Sequence, residues 1–148
     1  MSDFSAETVA ALTDAGWRPR RSVDVEAWRS HFEAAGCVMS PAAEDFLSRF
    51  GGLDVRISGA GLERAREPFD LEPMLCDGEE DRFIEWGRLM GHDLFPIGVF
   101  GGLRYFLGID ESAEVYLIET DVRSFGRMPD AMDAMIQGRM PLPVEVTD

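Results

Sequence analysis

No lysine occurs anywhere in the 148 residues, so all 14 basic side chains are arginine. That absence removes several chemistries at once: a phosphate-binding loop has no lysine to offer, and neither a Schiff-base nucleophile nor a Ser/Lys dyad can form. A genome rich in G and C accounts for the bias through its arginine codons. Cysteine is nearly as scarce. Cys37 and Cys76 stand apart, without a CxxC pair or the dense spacing of secreted disulfide frameworks, which points to a reducing cytoplasm. Long apolar runs are missing too. The stretch Leu94 to Phe100 falls far short of the roughly 18 residues that cross a bilayer, and no basic region leads into an apolar one at the N-terminus. The chain therefore reads as neither exported nor anchored.

What is abundant is negative charge. Asp and Glu number 28, for a formal net charge of −14. Such a surface repels nucleic acid and acidic membranes and attracts basic partners. With 45% hydrophobic residues, the chain fits one domain over residues 1–148, because domains of roughly 100–150 residues bury about 68–70% of their unfolded surface.

Along the chain, Ser5 is a helix cap, Phe4 can staple onto Val9, and Gly16 stops the helix. Pro19 then imposes an extended path, and Asp24 caps a second helix that turns Trp28, Phe32 and Ala35 to the core before Gly36 closes it. After the short apolar crossing Cys37-Val38-Met39, Ser40 and Pro41 open a third helix with Ala43, Phe46, Leu47 and Phe50 as its stripe. At Leu53 the period changes. Leu53, Val55 and Ile57 alternate with Asp54, Arg56 and Ser58 as a half-buried strand does. Phe69 and Leu71 suggest a short strand, while Pro68 and Pro73 argue for an edge or a loop. Asp77 with Glu80 forms a capping-box variant ahead of a helix that carries Phe83, Trp86, Leu89 and Met90 inward. Leu94 to Phe100, Leu103 to Ile109 and Val115 to Glu119 form an antiparallel meander, and a last helix from Pro129 turns Met132, Met135 and Ile136 inward until Gly138. The order is α+β: an antiparallel β-sheet flanked by helices.

The punctuation also forms an ordered series. Ala15-Gly16-Trp17-Arg18-Pro19 with Arg21 is followed by Pro41-Ala42-Ala43, Phe46-Leu47 and Phe50-Gly51-Gly52-Leu53. Then come Gly78-Glu79, Arg82-Phe83, Trp86, Leu94-Phe95-Pro96-Ile97-Gly98, Phe106 to Glu111, Glu114-Val115-Tyr116 and Phe125-Gly126. In that order and spacing the chain resembles the SUKH superfamily, in its third immunity-protein subgroup, from about Thr8 to about Pro141. The resemblance implies a cytoplasmic bacterial antidote, encoded beside a toxin of a polymorphic or contact-dependent system, in a superfamily that meets many unrelated toxins, nucleases and deaminases among them. It also implies the SUKH-like α+β fold, and leaves open a regulatory or scaffold protein-binding module on that fold. Two positions depart from the pattern: Arg20 and Ala113 stand where glycine is expected. The second implies a turn that does not strictly require positive φ.

Candidate contacts to a cognate, basic toxin domain are of two kinds. Asp77, Glu79, Glu80 and Asp81 gather at a helix start, Asp110, Glu111 and Glu114 at a hairpin tip, and Glu63, Glu67, Asp70 and Glu72 form a further acidic run. Solvation and helix-dipole complementarity explain such clusters equally well. The apolar candidates are Phe100, Leu103 and Tyr105 around the Gly101-Gly102 turn, since binding energy concentrates in a few such side chains while rim charges steer. No metal, cofactor or catalytic group is expected. Asp110 to Glu114 lacks calcium-loop spacing, His31 and His92 read as boundary residues, Gly59-Ala60-Gly61 lacks the third glycine of a dinucleotide fingerprint, and Cys76 is flanked by acids that oppose thiolate formation. The expected state is a monomer or weak homodimer, with no nucleic acid or membrane partner.

Overall fold

The helix caps form largely where the residue types place them. In the computed structural model, which describes residues 3–146, the Ser5 hydroxyl accepts the Thr8 backbone N–H at 3.2 Å and α1 runs Ala6–Asp14. Ser40 repeats the device for α3 (Pro41–Phe50), accepting from Ala43, and Pro41 enters the first turn, where its missing N–H leaves no partner unsatisfied. Arg21 closes the other end of α3. Its guanidinium donates to the carbonyls of Arg49 and Gly51 at 3.0 and 2.8 Å, satisfying acceptors a helix end would leave open.

Between them, α2 (Glu26–Ala34) departs from expectation in two details. Val25 holds the cap position, and Asp24 reaches the Glu26 N–H from one residue farther out. Ala35 lies past the last helical turn and is exposed, so the inward stripe is limited to Trp28 and the fully buried Phe32. The capping box at Asp77 does not form either. A short 3-10 turn, Pro73–Cys76, precedes α4 (Glu80–Met90), and Asp77 terminates that turn while Glu79 takes the α4 cap position without a side-chain bond. On α4, Phe83 is buried, and Trp86, Leu89 and Met90 are half-buried. The last helix, α5 (Asp130–Gln137), buries Met132, Met135 and Ile136 as expected.

Seven strands form one antiparallel sheet in sequence order: β1 (Asp54–Val55), β2 (Phe69–Asp70), β3 (Phe95–Phe100), β4 (Tyr105–Ile109), β5 (Glu114–Ile118), β6 (Val122–Arg127) and β7 (Leu142–Pro143). The alternation from Leu53 to Ile57 predicts a longer β1 than the two residues that pair. Two strands escape the sequence reading. In β6, Arg123 and Ser124 separate the buried Val122 and Phe125, and a bulge opposite Val115 and Tyr116 breaks the two-residue period. In β7, Pro143 disguises a two-residue pairing against Arg123 and Ser124.

All six residues of β3 are buried, so this strand is covered on both faces. Phe32 of α2 meets Phe95 edge-on at 5.5 Å, and Phe100 stacks on Phe69 of β2. Gly98 is needed at its position. With φ at +150°, any Cβ there would stand 2.0 Å from the Asp70 carbonyl oxygen, inside the backbone of β2. One hydrophobic cluster joins α1 through α5, from Leu12 to Ile136.

Ala113 corrects an expectation. It sits in the β4–β5 turn at φ +66°, so the turn does demand the left-handed conformation, and a residue with a Cβ has been forced into it. The strain of roughly 1–2 kcal/mol exceeds the unfolded-state entropy that alanine removes. Thermal unfolding should therefore find Ala113→Gly more stable by up to about 1 kcal/mol. Ala113→Val, β-branched at positive φ, should lose about 2 kcal/mol, and a stable valine variant would contradict this account of the turn.

Candidate functional site

Three places gather the candidate residues: the β4–β5 turn, the start of α4, and a groove beside the β3–β4 hairpin. In the first, Asp110 is fully buried. Its Oδ1 accepts the Ser112 N–H (2.8 Å), the Ser112 hydroxyl (2.7 Å) and the Glu114 N–H (3.1 Å), while Oδ2 accepts the Tyr116 hydroxyl (2.7 Å). Burial alone would push this carboxyl up. The Ser112 and Tyr116 hydroxyls and the two backbone N–H groups outweigh it and hold Asp110 below the ordinary carboxylate range. Burial and this carboxylate together push the Tyr116 hydroxyl in the opposite direction, upward. The expectation that Asp110 is a surface contact is therefore wrong: it staples the turn. Glu114 is also engaged, accepting the Ser124 hydroxyl of β6 at 2.6 Å. Glu111 stays exposed, 2.7 Å from His92 Nδ1, and accepts the Asp93 N–H at 3.0 Å.

At the start of α4, Asp77 and Glu80 approach His31 Nε2 at 2.8 and 3.5 Å, and Glu79 pairs with Arg82 at 2.9 Å. Asp81 is exposed and, among the described residues, has no basic side chain within 4.0 Å. The two acidic clusters do not form one patch. His92, the contact of the second cluster, follows the C-terminus of α4, so the clusters lie at opposite ends of a helix whose eleven residues rise about 16 Å.

Each cluster contains a histidine that chain spacing hides, because His31 is 46 residues from Asp77 and His92 is 19 from Glu111. Among the described residues, His31 with Asp77 and Glu80, and His92 with Asp110 and Glu111, are the groups whose ligand types could hold a divalent ion. Asp110 is the poorest ligand in the two sets, since both of its oxygens already accept hydrogen bonds.

The third place is a groove of about 580 Å³ on the sheet face that α4 covers only in part. In register across the strands run Asp54 of β1, Asp70 of β2, Val99 of β3 and Phe106 of β4. Phe106 is roofed by Phe83 and the Arg82 guanidinium of α4, whereas Asp54, Asp70 and Val99 line the open groove with Leu75 and Leu103. Leu103 is 77% exposed and Leu75 40%. Of the three apolar candidates only Leu103 is presented outright. Tyr105 is half-buried beneath the Arg104 guanidinium. Phe100 is 2% exposed, packed between Phe69 and Phe125, so its expected role as a surface anchor is corrected: it points to the opposite face of β3 from Val99, into the core. Asp70 belongs to the acidic run that the sequence offers, but Asp54 and Leu75 are not among the expected contacts, although an aspartate in each of two short apolar strands was the available signal.

Both thiols are held protonated. Burial, then the nearby Glu80 and Asp81, push Cys37 up to about 11. Burial pushes Cys76 up to about 12, and its thiol donates to the Gly98 carbonyl at 3.2 Å.

Comparison with known proteins adds one match. The family model described as SUKH-3 immunity protein matches residues 4–138. No curated protein and no solved structure matches the chain.

Two outcomes follow from this geometry. Asp110 ionises more readily folded than unfolded, so its contribution is complete above the ordinary carboxylate value near 3.9 and is lost as pH falls through the depressed folded value. Asp110→Ala should cost about 3 kcal/mol at neutral pH and flatten the acid limb of the stability curve. An unchanged acid limb would refute the staple. Neither cysteine should react with a disulfide reagent at about pH 8 until denaturant is added.

Proposed function

Because the chain belongs to the SUKH-3 immunity protein family, we propose that it is the cytoplasmic antidote of one cognate toxin domain, neutralising it by covering its active site or a surface beside it. Membership gives the immunity role in general. The finer reading rests on charge: a net −14 with no lysine, distributed so that several carboxylates face solvent. Such a surface suits a basic domain, as an enzyme acting on nucleic acid presents, and stands where the phosphates would. Attraction of this kind raises association rates roughly 10- to 1,000-fold at low salt and sets orientation, while apolar contacts set the lifetime of the complex.

Within this reading the steering residues are Asp77, Glu79, Glu80, Asp81 and Glu111. Asp110 and Glu114 act on the turn behind them, and Leu103 supplies apolar area. The protein works as a monomer in a one-to-one complex, by binding, and needs neither catalysis nor a cofactor of its own.

The test begins with a pull-down from the native host at low and then high salt. The captured domain is then expressed alone and together with this chain. Growth arrest by the domain alone, relieved by co-expression, is the expected result. Capture of ordinary cellular proteins that are harmless when expressed would overturn the antidote reading. Reversing Glu79, Asp81 and Glu111 to lysine should slow association by about tenfold or more at low salt and leave high-salt rates alike.

A further inference from the structure

We propose that the groove beside the β3–β4 hairpin is the docking pocket of this protein, and that it takes a basic side chain together with an adjoining apolar one. The identity of the partner as a toxin rests on the function proposed above; the chemistry of the pocket does not.

The argument starts from a pairing that folding alone does not favour. Asp54 and Asp70 are direct cross-strand partners, and like charges in that position destabilise a sheet. Arg56 answers only one of them, bonding Asp54 at 2.9 Å while remaining 84% exposed itself. Among the described residues, Asp70 has no basic side chain within 4.0 Å. Burial, then Asp54 and Glu72, raise its carboxyl above the usual range, with Arg56 and a hydrogen bond from the Glu72 backbone opposing. A cation placed between the two aspartates would relieve a repulsion that the free protein carries.

The apolar half of the pocket is built around that pair. Leu103 stands at the hairpin tip, after Gly101 and Gly102 at φ +68° and +74°, and it is the most exposed large hydrophobic among the described residues. Leu75, on the 3-10 turn, lines the same groove, with Ile57 and the largely buried Val99. Single exposed leucines are ordinary, but two that converge on an apolar groove with carboxylates at its rim have the composition of an interface hot spot. The carboxylates select the occupant. They favour a guanidinium or ammonium group flanked by an apolar side chain over a wholly apolar segment, and over a second copy of this acidic chain.

Benzamidine, an aromatic cation, is a suitable probe, with neutral benzamide as its control. In an NMR titration of the full chain, benzamidine should shift the amides of Asp70, Val99 and Leu103 saturably, and benzamide should bind about tenfold more weakly, as loss of one charge-assisted contact implies. Asp70→Asn should weaken benzamidine binding by a similar factor while raising the melting temperature of the free protein. A merely structural aspartate would not produce that opposition. Shifts scattered elsewhere, or binding indifferent to Asp70→Asn, would overturn the pocket.

With the toxin domain in hand, Leu103→Asp should raise Kd about 100-fold or more, and its exposure leaves the fold intact. Protection by this chain that survives both Leu103→Asp and Asp70→Asn would overturn the pocket and leave the antidote reading standing. Cation binding at Asp70 with no toxin partner found would do the reverse. A change of oligomeric state in Leu103→Asp would identify a second copy as the occupant, against the proposal.

Discussion

Six consecutive residues, Phe95 to Phe100, must be hidden on both faces, and most of the architecture can be understood as the means of hiding them. Sequence neighbours cannot do this, because alternate side chains of a strand point in opposite directions and two layers of cover are needed. Phe32 arrives from α2 and Phe69 from β2, while the 3-10 turn presses close enough for the Cys76 thiol to reach the Gly98 carbonyl. Gly98 is the condition for this closeness. Its missing Cβ is the space that the Asp70 carbonyl occupies, so β2, only two residues long, can join the sheet. Beside the buried Val99 a groove begins, and the same close approach that buries β3 delivers Asp70 to its rim.

The carboxylates divide by what they already hold. Asp110 satisfies four donors of the β4–β5 turn and the strand that follows it, Glu114 holds a hydroxyl of the next strand, and Glu79 neutralises an arginine one helical turn away. Asp77, Glu80 and Glu111 each contact a histidine, and acids near a helix N-terminus are stabilised by about 0.3–1 kcal/mol without any partner. Net charge therefore overstates the number of carboxylates free to meet another protein. Exposed Asp81 and the crowded pair Asp54 and Asp70 are the less satisfied ones, and the pair lies beside the most exposed leucine. Function in a binding protein is expected to concentrate where local interactions remain incomplete, since a partner can improve only what folding has not.

What the sequence by itself determined is what depends on residues near one another in the chain. The caps at Ser5 and Ser40, the stripe Ala43-Phe46-Leu47-Phe50, the stops at Gly16 and Gly138, the meander from Phe95 to Ile118 and the α+β class all follow from local hydrogen-bond supply and apolar period. The ordered motifs were sufficient for the family as well. The tertiary structure alone decided β6 and β7, whose pairing ignores their polar and proline residues. It also decided the burial of Asp110 and Phe100, the left-handed backbone at Ala113, and the encounter of Asp54 with Asp70. Those features depend on which strand lies alongside. A strand's neighbours are chosen by the total apolar surface they bury together, a quantity that no short window of sequence contains.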